Sequence, residues 1–158
     1  MRPPVELFLV DAFTRTIYRG NPAAVCIAPE GGEPGLFTGE WMQSVAMEMN
    51  LSETAFLIRL PQKGAGSGSE YDLRWFTPTT EVELCGHATL ASAHILWERG
   101  YADSGKEICF YTKSAGKLIA GRNKGLIELD FPADTVTVVT PPDAIAQALG
   151  VEPVFAGK

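Results

Sequence analysis

The 158-residue sequence lacks the features that mark several large classes of protein. No uncharged apolar run approaches the roughly 18 residues that a membrane-spanning helix needs. Basic residues are outnumbered: 13 Lys and Arg against 19 Asp and Glu give a net charge of −6. Domains that bind nucleic acid usually carry the opposite sign of charge. We therefore expect neither a membrane nor a nucleic acid among the partners of this chain.

Residues that form disulfides or bind metals are also few. The three cysteines, Cys26, Cys85 and Cys109, are odd in number and form no CxxC pattern, so no disulfide framework is expected. A reduced, cytoplasmic setting is the simpler interpretation. The two histidines, His87 and His94, would lie about 10 Å apart along one helix. That distance is too long for both to bind one ion, and we predict no metal site.

The patterns of apolar residues predict a domain of strands with three helices. The 16 glycines and 11 prolines separate short apolar runs. Helices are predicted over residues 39–49, with Thr38 as the N-cap, over residues 86–99, and over residues 141–149, with Thr140 as the N-cap. Residues 62–70 (QKGAGSGSE) are predicted to form a mobile surface loop. The predicted strands are residues 5–13, 23–28, 55–60, 71–77, 107–113, 117–122, 126–131 and 136–139.

The predicted helix over residues 86–99, GHATLASAHILWER, is rich in small side chains. Such residues let neighbouring backbones come close. One interpretation is a helix of good intrinsic propensity with a single packed face. We favour a helix enclosed by a curved sheet, because the flanking segments are strands and no polar stripe runs along the helix.

Two segments carry candidate chemistry. Glu53 begins an apolar strand, where partial burial would raise its pKa and suit it to proton transfer; the alternative is an exposed carboxylate at the start of a strand. Cys85, Gly86 and His87 begin the small-residue helix, whose first N–H groups could hold a carboxylate or an enolate. A helix N-terminus lowers the pKa of a thiol, and a histidine can relay a proton near pH 7. The alternatives are a buried structural cysteine and a capping histidine.

Four blocks of sequence, taken together, resemble a known family. They are VDAF (10–13), GNPAAV (20–25), MNLSETAF (49–56) and RWFTPTTEVELCGHATLASAHIL (74–96). Their order and spacing resemble the phenazine-biosynthesis PhzF-like family over most of residues 5–131. That family belongs with the diaminopimelate epimerase-like fold, in which each of two halves wraps a curved, mostly antiparallel sheet around a central helix. The resemblance implies an α+β fold with residues 86–99 as the central helix.

The resemblance also implies an activity and the residues that carry it. It implies a cofactor-independent isomerase or epimerase that moves a proton on a small carboxylic-acid substrate. The family's proton-shuttling glutamate matches Glu53, and its active-site histidine matches His87. Related amino-acid racemases carry a catalytic cysteine at the position of Cys85, which we rank below Glu53. The residues expected to bind substrate are Ser52, Gly86, Asn21 and Cys85.

Members of the family place their active-site cleft between two halves. We expect residues 1–150 to form the N-terminal epimerase-like domain, and residues 151–158 (VEPVFAGK) to begin a second, similar domain that is absent. Either the chain is truncated, or two copies assemble a composite cleft. The expected partner is therefore a second copy in a homodimer or the missing C-terminal half. The alternative function is an inactive half-enzyme or a protein-interaction module with an exposed apolar face.

Overall fold

A computed structural model describes residues 5–29, 35, 37–61, 68–151 and 153–157. The helices in these ranges are α1 (Gly39–Met49), α2 (Gly86–Glu98) and α3 (Asp143–Leu149). None of them has the length and apolar character needed to cross a membrane. The strands in the same ranges are β1 (Glu6–Ala12), β2 (Asn21–Ile27), β3 (Glu53–Arg59), β4 (Ser69–Phe76), β5 (Glu81–Val82), β6 (Ile108–Tyr111), β7 (Lys117–Asn123) and β8 (Leu126–Asp130).

The strands form one sheet that curls around α2. Their order is β1-β2-β3-β4-β6-β7-β8, with β5 paired to β4. Only the β2–β3 and β4–β6 pairs are parallel within the described ranges, and the other pairs are antiparallel. Helix α2 packs against β1 and β8, the strands at the two ends of the order, as well as against β2 and β3. The predicted α+β fold, a curved and mostly antiparallel sheet around a central helix, is confirmed.

The small side chains of α2 allow this enclosure. Ala88, Ala91 and Ala93 are fully buried and pack in the same cluster as Trp75 of β4. Thr89 and Ser92 are buried too, and each hydroxyl donates a hydrogen bond to a carbonyl of its own helix, at 2.6 and 2.7 Å. A buried hydroxyl that is paired in this way avoids most of the cost of losing water. The helix can therefore be enclosed without unpaired polar groups at these two positions.

Helix α1 covers the other face of the sheet. Phe56 of β3 packs with Met42 and Ala46, whereas its neighbours Ala55 and Leu57 face α2. Alternate residues of a strand point to opposite faces, so β3 is buried on both sides. As predicted, the hydroxyl oxygen of Thr38 accepts a hydrogen bond from the backbone N–H of Trp41 at 3.2 Å. At the other end of α1, Asn50 is left-handed, with φ 50°, and turns the chain into β3.

Several predictions of local structure were wrong. Residues 136–139 do not form a strand; Val138 makes an isolated bridge to Gly157, and its side chain is exposed. Helix α3 begins two residues later than predicted and is capped by Pro142 instead of Thr140. A proline forces the residue before it out of the helical region, so the pair Pro141–Pro142 delays the start. A loop was predicted over residues 62–70. Its last two residues belong to strand β4, and residues 62–67 lie outside the described residues.

Candidate functional site

Two segments that begin secondary-structure elements meet at the N-terminal end of α2. Glu53 is the first residue of β3, and the parallel β2–β3 pairing sets it opposite Ala23. The Ser52 hydroxyl donates a hydrogen bond of 3.4 Å to the carbonyl of Pro22, which holds this end of β3 against the start of β2. His87 is the second residue of α2, and its side chain reaches the same place.

The imidazole of His87 is the centre of the site. Its Nε2 atom lies 3.3 Å from the Ser52 hydroxyl oxygen and 3.4 Å from a carboxylate oxygen of Glu53. Its Nδ1 atom lies 3.3 Å from the Cys85 sulfur. Each ring nitrogen therefore has its own partners. The ring links a buried thiol on one side to a carboxylate and a hydroxyl on the other.

Burial differs along this row of groups and determines the charge of the thiol. Cys85 is 7% exposed, and the side chains of His87 and Glu53 are 8% and 21% exposed. Burial raises the pKa of the Cys85 thiol to about 11, and the Glu53 carboxylate adds to the increase. The backbone N–H groups of His87 and Ala88 lower that pKa, but by less than burial raises it. The thiol is therefore neutral at pH 7, and Glu53 is the most exposed group of the three.

The first turn of α2 offers a place for an anion. Cys85 occupies the N-cap position in extended conformation, with φ −143°, and its own side chain forms no capping hydrogen bond. The N-terminus of a helix carries partial positive charge and directs its N–H groups outward. Gly86 begins the helix, and a Cβ atom placed there would meet the ring of Phe131 at 3.5 Å, an ordinary contact. The glycine is therefore not required by steric crowding.

The structure brings most of the predicted site residues together. Ser52, Glu53, Cys85 and His87 form one hydrogen-bonded group, and Gly86 lies within it at the start of α2. Asn21 begins β2 and is exposed, and within the described residues no side-chain hydrogen bond joins it to the group.

Sequence reasoning missed two further members of the site. The Pro22 carbonyl that receives the Ser52 hydrogen bond is a backbone group, and no side-chain pattern signals it. Phe131, whose ring faces Gly86, lies just beyond β8 and is far from the site in sequence.

Glu53, Cys85 and His87 also carry atoms of the kinds that bind metal ions. Ligand atoms of Glu53, Cys85 and His87 lie within 4.8 Å of one another, and a carboxylate, a thiolate and an imidazole are all possible zinc ligands. However, the two nitrogens of His87 point to different partners. An ion bound to Nε2 would not use the contact between Nδ1 and Cys85, and an ion bound to Nδ1 would not use the contact between Nε2 and Glu53. With Cys85 as a ligand, the ion would also need a thiolate, which burial disfavours. The arrangement fits a hydrogen-bonded chain better than a metal centre.

Known proteins match almost the whole chain. It is 49% identical over 153 residues to a protein of Halalkalibacterium halodurans named an uncharacterized isomerase, a match that covers 96% of this chain and 53% of that protein. The crystal structure of a PhzF-family phenazine biosynthesis protein from Enterococcus faecalis superposes with a TM-score of 0.74 at 37% identity, over 96% of this chain and 53% of the other. A predicted epimerase from Pseudomonas aeruginosa, 21% identical with a TM-score of 0.62 over 92% of this chain and 50% of its own, shares the fold.

These matches establish the fold and the family. The architecture is that of one diaminopimelate epimerase-like half, and the chain spans about half the length of the curated relatives that it matches. The family model described as phenazine biosynthesis-like protein matches residues 10–152. Because that match covers most of the sequence, the chain belongs to the phenazine biosynthesis-like PhzC-PhzF family.

Proposed function

We propose that this chain carries the proton-transferring part of a cofactor-independent isomerase or epimerase that acts on a small carboxylic acid. The observation that carries the proposal is the 3.4 Å contact between Glu53 and His87 at the N-terminus of α2. The name of the relative from Halalkalibacterium halodurans, an isomerase, supports the same reaction class. Because the chain spans about half of that relative, the proposal concerns the complete protein.

In the proposed reaction, Glu53 acts as the base. Its carboxylate accepts a proton from a carbon next to the substrate carboxyl group, and the electron pair of the broken C–H bond stays on the substrate as an enolate. The N–H groups in the first turn of α2 stabilise this negative charge. Glu53 then returns the proton to another carbon on the same face of the substrate; inversion at the first carbon would need a second proton donor on the opposite face. The proton count balances without any cofactor.

The remaining residues position Glu53 and the substrate. His87 hydrogen-bonds to Glu53 and assists the transfer of the proton, and Ser52 holds the ring from the same side. Gly86 leaves the first amide of α2 accessible to a substrate carboxylate. Asn21, exposed at the start of β2, is proposed to contact the more distant part of the substrate.

Isotope exchange tests the role of Glu53. The protein is incubated in D₂O with a panel of 2-amino and 2-hydroxy acids, and deuterium uptake at carbon is followed by mass spectrometry. Loss of one proton-transfer group commonly costs a factor of about 10²–10⁴ in rate, so Glu53→Gln should exchange at least about 100-fold more slowly. Glu48→Gln, an exposed change on α1, is the matched control. Equal exchange by the wild type and Glu53→Gln would overturn the assignment.

A second function, protein association, is favoured by an apolar surface beside the site. Phe13, Ile17 and Tyr18, in the connection from β1 to β2, are largely exposed, Tyr18 to 89%. Ile17 and Tyr18 line a groove of about 550 Å³ together with Pro22 and Leu51. Monomeric proteins rarely expose such a patch unless it binds something. We propose that a second copy, or the other half of the complete protein, covers it.

Sedimentation equilibrium tests the association. Ile17→Asp should weaken self-association of the chain, because a charge would be buried in the contact. Leu126→Asp, at an exposed apolar position that begins β8, is the control. A chain that stays monomeric at high concentration would exclude the homodimer, and equal effects of both variants would exclude this surface.

A cytoplasmic location and a role in small-molecule biosynthesis complete the proposal. All three cysteines are free thiols, which supports a reducing compartment. The description of the family model as phenazine biosynthesis-like supports a biosynthetic role. Fractionation of cells that express the complete protein tests the location.

A further inference from the structure

We infer that Cys85 is a positioning residue that fixes the tautomer of His87, so that Nε2 carries the ring proton and directs it towards Glu53 and Ser52. In this role the thiol donates to the histidine and is neither the acid nor the base. The tautomer follows from the geometry of the described residues. Its effect on the reaction rests on the proposed function.

The first step concerns the Nε2 side of the ring. A neutral imidazole has one N–H donor and one acceptor nitrogen. Nε2 faces the Glu53 carboxylate at 3.4 Å and the Ser52 hydroxyl oxygen at 3.3 Å. An ionised carboxylate can only accept a hydrogen bond. The single proton of the Ser52 hydroxyl is donated to the Pro22 carbonyl, so its lone pairs are available to the ring. With two acceptors in front of it, Nε2 must be the donor.

The second step concerns the Nδ1 side. If Nε2 carries the proton, Nδ1 has a lone pair and needs a donor. The Cys85 sulfur lies 3.3 Å from Nδ1, inside a buried part of the site. A protonated thiol supplies the required donor. Cys85 has lost most of its contact with water, and a carboxylate lies near it; both conditions favour the neutral thiol over the thiolate.

The competing arrangement is a thiolate–imidazolium pair, in which Nδ1 donates its proton to sulfur. That pair would make Cys85 a nucleophile. It would place a negative sulfur in a buried position beside the negative Glu53. The neutral arrangement avoids this repulsion and leaves Glu53 as the one anionic group of the row.

Nitrogen NMR tests the tautomer directly, without a substrate. In ¹⁵N-labelled protein at pH 7.5, long-range ¹H–¹⁵N correlations distinguish the two neutral tautomers and the imidazolium. We expect His87 in the Nε2–H form, with a hydrogen-bonded Nδ1; His94, the other histidine, serves as the internal reference. An Nδ1–H tautomer or an imidazolium at His87 in the wild type would overturn the inference, whatever the variants do.

The variants test the part played by Cys85. Cys85→Ser keeps a donor and should keep the wild-type pattern, whereas Cys85→Ala should shift the Nδ1 resonance, because Nδ1 loses its hydrogen-bond donor while Nε2 keeps its two acceptors. Cys109→Ala, on β6, is the control and should leave the His87 signals unchanged. Identical His87 signals in Cys85→Ala and the wild type would contradict the inference.

Kinetics separate this inference from the proposed function. A typical hydrogen bond contributes about 1 kcal/mol, so Cys85→Ala should lower kcat for isotope exchange roughly fivefold with KM unchanged, and Cys85→Ser should recover most of it. If wild-type His87 is in the Nε2–H form but Glu53→Gln leaves the rate of isotope exchange unchanged, only the proposed function is rejected. Exchange that depends on Glu53 but is unaffected by Cys85→Ala would reject only the positioning role.

Discussion

Enclosure of α2 predicts that Ala91 tolerates neither a larger nor a smaller side chain. Ala91 is 0% exposed and lies in the main core cluster between α2 and the sheet. Protein interiors are close-packed, so the three extra carbons of leucine have no free space to occupy. Overpacking of this kind costs about 1–3 kcal/mol. Ala91→Gly should also destabilise, because glycine lowers the stability of a helix interior by about 1 kcal/mol.

Urea and thermal unfolding measure the effect. For a domain of 150–250 residues, 1 kcal/mol shifts Tm by about 2–4 °C, so Ala91→Leu should lower Tm by about 2–12 °C. The urea midpoint should fall while the slope of the transition stays the same. Glu48→Leu places the same side chain on an exposed position of α1 and should change the free energy of unfolding by less than about 0.5 kcal/mol.

One result would refute the packing argument. If Ala91→Leu were as stable as the wild type, the helix would have open space at Ala91, and the sheet would not enclose it there. Leucine and alanine have similar helix propensities, so a difference in propensity could not offset the destabilisation expected from overpacking. The control variant separates this outcome from a general tolerance of added apolar surface.

Two further predictions concern Gly86 and Cys26. Gly86→Ala should leave the free energy of unfolding, measured in urea, unchanged or raise it by at most about 1 kcal/mol, because the new Cβ meets Phe131 at an ordinary 3.5 Å and alanine favours helix. A clear loss of stability would show that the backbone there requires glycine. Burial raises the pKa of Cys26 from 9.0 to about 12, so stability should fall as the pH rises above 9, by up to about 1.4 kcal/mol per pH unit. Cys26→Ala should reduce that slope in urea titrations and leave the part that Cys85 contributes between pH 9 and about 11; an unchanged slope would contradict this origin.

Local signals predicted the helices better than the sheet. The Thr38 N-cap and the left-handed Asn50 mark both ends of α1, and the structure has the helix at Gly39–Met49 as predicted. Strand β5, Glu81–Val82, has two residues and no periodicity that a pattern could detect. The parallel β2–β3 and β4–β6 pairings join strands that are separated by a helix, and no turn sequence signals them.

The residues of the site could be predicted from the sequence, but the contacts between their atoms could not. Partial burial and helix position made Glu53 and His87 candidates, and the family resemblance selected them. Ser52 and His87 are 35 positions apart, so their contact depends on how β3 and α2 meet. The contact of Cys85 with Nδ1, opposite the side that faces Glu53, depends on the side-chain rotamers of the folded state. Motif spacing carries no information about which ring nitrogen each partner approaches.

The burial of the site residues connects the two proposals. Cys85 and His87 are almost completely buried, while Glu53 keeps 21% of its side chain exposed. A base that is rigidly backed by β3 and α2 is well oriented for one carbon atom of a substrate. Yet an exposed carboxylate is also hydrated, and water both weakens its interactions and competes for the proton. Efficient proton transfer would therefore require a cover over Glu53. The apolar surface around Tyr18, next to Pro22 and Leu51, is where the proposed association would supply that cover.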